Sequence, residues 1–78
     1  MKTYRLNTVN LKQKVFVHSL NCNGSIRRRL LDLGICPKTL ITPLFKSITG
    51  DSTAYFVRGS TIALRNEDAN NILVVLDK

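Results

Sequence analysis

Apolar and polar residues alternate along this chain in short bursts separated by turn formers, a rhythm that predicts mostly strands. Residues 14–20, Lys-Val-Phe-Val-His-Ser-Leu, are rich in β-branched and aromatic side chains and bounded by polar positions, so they predict a first strand. Upstream, residues 6–11 space their apolar side chains too loosely for a regular element and are expected to lead in as an extended arm. Asn21-Cys22-Asn23-Gly24-Ser25 is a run of turn formers in which Ser25 is placed to cap a helix. Ile26, Leu30 and Leu33 then fall on one helical face with Leu31 beside them. Gly34 is expected to end this helix in the left-handed conformation, and Pro37 prevents its continuation.

Residues 39–46 favour extended structure again, although Pro43 has no amide to donate and so belongs at an edge or a bulge. Gly50-Asp51-Ser52 marks a turn, residues 53–58 a third strand, Gly59-Ser60 a break, and residues 61–65 a fourth strand whose alternate side chains can face one core. Asn66-Glu67-Asp68-Ala69-Asn70 has the cap and acidic first-turn character of a single helical turn, and residues 71–76 close as a fifth strand. Five short strands with one helix inserted after the first cannot bury both faces of a flat sheet in so short a chain, so a small, mainly β barrel is expected. Its single domain spans residues 1–78, because a chain of this length buries only ~60 to 65% of its unfolded surface and cannot support a second core.

Charge changes the picture of partners more than of fold. Lys and Arg number 12 against 5 Asp and Glu, a formal net charge of +7 that favours nucleic acid, anionic lipid or an acidic protein face. The cations are scattered from Lys2 to Lys78, with one cluster at Arg27-Arg28-Arg29. The longest apolar run, residues 72–76, is far short of the roughly 20 residues of a membrane-spanning helix. The charged N-terminal residues lack an apolar signal core, so a cytoplasmic location is expected, with Cys22 and Cys36 as free thiols.

The residue types that catalysis needs are thinly supplied. His18 is the one histidine and sits in a predicted strand with no orienting carboxylate in sight. Asp32, Asp51, Glu67, Asp68 and Asp77 fall at turns and helix ends, where capping and solvation explain them. No enzyme activity and no cofactor are expected. Cys22 and Cys36 lack metal-ligand spacing and form a site only if the fold brings them together with His18, whereas a free cysteine ordinarily behaves as a small buried hydrophobe. Successive helical residues advance by about 100°, so Arg27, Arg28 and Arg29 cannot all face one way. They read either as a solvated rim, with Arg28 pairing with Asp32 one turn on, or as contacts for an anion or acidic partner.

The run Gly24-Ser25-Ile26-Arg27-Arg28-Arg29-Leu30-Leu31-Asp32-Leu33-Gly34-Ile35-Cys36-Pro37 is followed by Gly50-Asp51, Ala54-Tyr55, Val57-Arg58-Gly59 and Ile62-Ala63-Leu64-Arg65. In this combination the chain resembles the FeoA family, small cytosolic accessory proteins of bacterial ferrous iron transport. The resemblance implies an SH3-like β-barrel of about five strands with a short helical insertion after the first. It also implies a non-enzymatic regulatory or assembly role beside a membrane GTPase-permease for iron(II), FeoB-like, which would hold the protein at the inner face of the membrane. Arg27, Arg28 and Arg29 are then the candidate partner-binding residues, and iron handling belongs to the partner. Related domains form the C-terminal module of some metal-dependent repressors, but the free-standing transport accessory is the better match. The chain departs from the family pattern at Lys38, where glycine is common, at Ser52, where proline is frequent, and at Pro43. The alternative from another class is a basic barrel that binds RNA or DNA. Its stacking platform is poorly supplied if several of Tyr4, Phe16, Phe45, Tyr55 and Phe56 are needed in the core.

Overall fold

Six strands and two helices follow one another in the computed structural model, which describes residues 2–76. In chain order they are β1 (Tyr4–Arg5), β2 (Val15–Leu20), α1 (Gly24–Asp32), β3 (Leu40–Lys46), β4 (Ser52–Val57), β5 (Ser60–Arg65), α2 (Asn66–Ala69) and β6 (Ile72–Leu76). Asp77, expected at a turn or helix end, lies outside the described residues. The strands form one antiparallel sheet in the order β1-β6-β2-β3-β4-β5. Its inner face buries Val15, Val17, Ile41, Tyr55, Val57, Leu64, Ile72 and Val74 in a single cluster with Leu6, Leu30, Ile35 and Ala69. Two short helices cannot cover a flat sheet of this width, so the sheet covers itself by curling. The expected small barrel is therefore present, with its open seam between β1 and β5.

Two irregularities keep the apolar residues inside. Val17 and Leu20 are both buried although an odd step separates them, which strict alternation forbids. The register of β2 on β6 shifts between Val17 and Ser19, so His18 is the extra residue of a bulge that restores the inward side to Leu20. The same device operates in β3, whose register on β4 shifts between Pro43 and Phe45. Pro43 is thus at a bulge, one of its two expected places. Its carbonyl accepts from the Lys12 amide at 2.7 Å, on the side where β2 pairing has ended, so the missing proline donor removes no bond to β4.

The lead-in segment corrects the sequence reading. Tyr4 and Arg5 pair with Val74 and Leu73 as a sixth strand, Leu6–Thr8 is a single 3-10 turn, and Leu6 is fully buried. A two-residue strand is too short to show periodicity; it exists because β6 offers it an edge. The α1 expectations also need amendment. The helix begins at Gly24 with Asn23 preceding it, no side chain caps it, and Ser25 lies inside its first turn. Of its apolar residues only Leu30 is buried, while Ile26, Leu31 and Leu33 remain exposed. The inner face of the curled sheet is already filled by strand side chains, and one turn of helix suffices to close the end of the core.

The C-terminus of α1 follows expectation. Gly34, at φ +90°, donates to the Leu31 carbonyl at 2.9 Å, and Ile35 donates to the Leu30 carbonyl at 3.0 Å. These two bonds form a Schellman cap, and the fully buried Leu30 and Ile35 supply its customary apolar pair. Strands β4 and β5 are joined by the two-residue turn Arg58-Gly59, both in the left-handed region with φ of 51° and 85°, the twist that suits a tight hairpin.

Lys38 also has a positive φ, 75°, at the position where the family pattern favours glycine. Its amide donates to the Val17 carbonyl at 2.7 Å, so the strained backbone is held in place by β2. Lys38→Gly should stabilise the domain by ~1 kcal/mol, the strain relieved exceeding the added freedom of the unfolded chain. Urea unfolding would measure this. A less stable variant would show that the lysine side chain contributes more than its backbone conformation costs.

Candidate functional site

The three consecutive arginines of α1 separate into different roles once the helix is placed. Arg29 points across to α2, where its Nη2 donates to Asp68 Oδ2. Asp68 is buried, so it is not the solvated turn residue expected from sequence; it anchors α1 to α2 through a charge-assisted bond. Arg27 lies back along β2, its Nη1 donating to the Leu20 carbonyl at 3.3 Å. Arg28 makes no such bond among the described residues, and the expected Arg28–Asp32 pair is not formed: the ion pairs there are Arg29–Asp68 and Arg65–Glu67.

Arg27 and Arg28 flank a shallow hollow with Gly24, Leu31 and Asp32. The first turn of α1 holds no acidic residue and has no side-chain cap. The unpaired amides of the first turn and the two guanidinium groups, carried midway along the helix, put positive potential along this face beside the exposed Leu31, with Asp32 the one carboxylate lining the hollow. Such a surface suits an acidic side chain flanked by an apolar one. Of the three candidate arginines, Arg27 and Arg28 share this surface, and Arg29 is engaged within the fold.

Cys36 lies at the other end of α1. Its Sγ is 3.2 Å from the Thr39 hydroxyl and accepts from Arg58 Nη2 at 3.5 Å, while Arg58 Nε donates to the Gly34 carbonyl at 3.3 Å. The hydrogen bond to Thr39 holds the thiol below its usual range, and Arg58 adds to this by its hydrogen bond and its charge, against a partial desolvation. Cys22 packs beside the core, and His18 is exposed on its bulge with Nδ1 3.2 Å from the Ser19 hydroxyl. Both cysteines are free. Among the described residues, no three His, Cys, Asp or Glu side chains gather as a metal site.

The sheet's outer face is more apolar than the sequence suggested. Tyr55 is the one aromatic residue fully buried, and its burial raises its hydroxyl above the usual range. Phe45 and Phe56 are 59% and 46% exposed, and Leu40 lies exposed on the same strands. The signal was available: Tyr55 and Val57 face inward, so Phe56 between them has to face outward.

The family profile described as FeoA domain matches residues 4–76. No curated protein sequence matches the chain. Among solved structures, a FeoA-like protein from Clostridium acetobutylicum is 36% identical and superposes with a TM-score of 0.89, over 97% of this chain and 88% of that one. FeoA from Chlorobium tepidum is 25% identical with a TM-score of 0.86, over 94% of this chain and 70% of the other. The zinc complex of FeoA from Stenotrophomonas maltophilia, a prokaryotic SH3 domain protein regarded as a candidate activating factor of ferrous iron transport, is 25% identical. It has a TM-score of 0.79 and covers 96% of this chain and 91% of its own. The barrel is accordingly SH3-like.

Proposed function

We infer from the chain's membership of the FeoA family, to which it belongs across residues 4–76, that it serves ferrous iron transport as a non-enzymatic accessory protein. Its partner in this reading is the cytosolic portion of a ferrous iron permease with a GTPase domain. The observation that carries it is the family match over nearly the whole chain, and the protein's surface supports a binding role. Arg27 and Arg28 stand midway along α1, beside the hydrophobic Leu31, and neither is ion-paired among the described residues. Charged groups at such a rim guide association and fix orientation more than they stabilise the fold. Among the described residues no helix is long and apolar enough to cross a membrane.

Reversing both arginines, Arg27→Glu with Arg28→Glu, should weaken binding to that cytosolic portion about tenfold or more and make the residual affinity less dependent on salt. Unfolding should change by under ~1 kcal/mol, the Arg27 bond to the Leu20 carbonyl being the one intramolecular contact removed. Titration calorimetry of wild type and double variant measures the first, urea unfolding the second. Equal affinities would remove α1 from the interface. The exposure of Phe45 and Phe56 on a protein of net charge +7 supports a second reading, a stacking surface for single-stranded nucleic acid. Tight, salt-sensitive binding to an oligonucleotide with none to the permease would favour it.

A further inference from the structure

Strand β5 ends the sheet with one side unoccupied. It pairs with β4 alone, over six consecutive residues without a bulge, whereas the opposite edge, β1, is two residues long. The hydrogen-bonding groups left over can be assigned. The two-residue turn makes Val57 and Ser60 a bonded pair, and bonded pairs alternate along an antiparallel ladder. Ser60, Ile62 and Leu64 therefore bond to β4, while Thr61 and Ala63 direct their N–H and C=O groups, and Arg65 its N–H, away from the sheet; the Arg65 carbonyl, at the N-cap of α2, takes that helix's first bond. The alternation agrees with the far side of β4, where Tyr55 stands opposite Pro43, which has no donor. Among the described residues no backbone bond is made at Thr61 or Ala63 from outside the β4–β5 hairpin.

An edge of this kind is normally blunted by proline, a bulge, an inward charge or extreme shortness. β5 has none of these: it carries no proline, its one charge is the outward Arg65 at its end, and Thr61 and Ala63 are small and exposed. We propose that β5 is a docking edge that accepts an extended acidic segment of another protein as an added strand. Main-chain bonds at Thr61 and Ala63 and to the Arg65 N–H would supply the affinity, and side chains on the outer face would meet Phe56, the cross-strand neighbour of Thr61. This goes beyond the reading above, since neither Arg27 nor Arg28 takes part.

Charge selects the occupant. The protein carries +7 and Arg65 stands at the end of the strand, so an acidic segment is drawn to the edge. Arg65 makes a loose, solvent-exposed pair with Glu67 at 3.5 Å and lies beside Asp51, and an incoming carboxylate can compete for it. A second copy of this chain fits poorly, because it would bring the same arginines and the same net charge to the edge.

The test uses the full chain, isotopically labelled, and a short blocked peptide of alternating Glu and Val as probe. Amide hydrogen exchange at Thr61, Ala63 and Arg65 should slow about tenfold or more on saturation, while Ile62 and Leu64, already bonded to β4, change little. A Lys-Val peptide should have no effect. Ala63→Pro removes one outward donor at a position where an edge strand tolerates proline, and should lower affinity for the Glu-Val peptide about tenfold. N-methylation of the peptide on alternate residues removes the same bonds from the other side and should abolish binding to the unaltered protein. The proposal is overturned if the Lys-Val peptide binds equally well, or if N-methylation leaves affinity unchanged. It is overturned too if these amides become protected by raising protein concentration alone, which would make the occupant a second copy.

Discussion

Leu30→Ala should lose ~3 kcal/mol of folding free energy and melt roughly 12 to 24 °C lower, the largest single effect expected in this protein. Leu30 is 0% exposed and is the one buried residue of α1, so truncating it leaves a cavity where helix and barrel meet. Its neighbours compensate little, because the helix is tethered through its C-terminal half: Arg29 is bonded to Asp68, and the Gly34–Ile35 cap closes on the Leu30 and Leu31 carbonyls. The same truncation at Leu31, which is exposed, should cost under ~1 kcal/mol. Urea unfolding of both variants, with unchanged dependence on denaturant, gives the comparison. If Leu30→Ala lost no more than Leu31→Ala, α1 would not be docked through Leu30.

Gly34→Val should follow closely, at about 2 to 3 kcal/mol. At φ +90° a β-branched side chain is strained whatever the space around it, and here space is short as well. A Cβ on Gly34 would come within 3.2 Å of Arg58 Cδ, displacing the side chain that bonds the Gly34 carbonyl and Cys36 Sγ. The substitution thus disturbs the helix cap and the β4–β5 turn together. Gly34→Asn, a residue that tolerates the left-handed region better, should lose less. Thermal melts of the pair separate strain from crowding. If valine and asparagine proved equally mild, Gly34 would not be required for its conformation.

What could be read from sequence was whatever local chemistry determines. The strands around Phe16, Tyr55 and Leu64, the helical turn at Asn66, the stop at Gly34 and the irregularity at Pro43 all rest on residues within a few positions of one another. What escaped depends on contacts across the fold. Tyr4 and Arg5 are a strand only because Val74 and Leu73 lie beside them, and Leu6 is core only because the chain passes under α2 and β6. Ile26 and Leu33 have helical spacing, yet the barrel is closed before it reaches them. At the candidate site, the arginine run was visible, but its division was not. Arg29 is taken by Asp68, 39 residues further on, and no local pattern announces that pair. The outward aromatic residues were legible from alternation, though counting aromatics alone suggested they were needed inside.

The position of β6 bears on how such a protein comes to exist at all. The last strand in chain order lies between the first two, Ile72–Leu76 pairing with β2 on one side and with Tyr4–Arg5 on the other. During synthesis the β4–β5 hairpin can form as soon as it emerges, since its partners are adjacent and its turn is preset. β1 has no such option, because its sheet neighbour is β6, and of the two sides of β2 only the one facing β3 can pair early. β1 and the β6-facing side of β2 therefore keep their pairing groups open until Ile72–Leu76 is available, and the core closes in a long-range step rather than by growth from β1 onward.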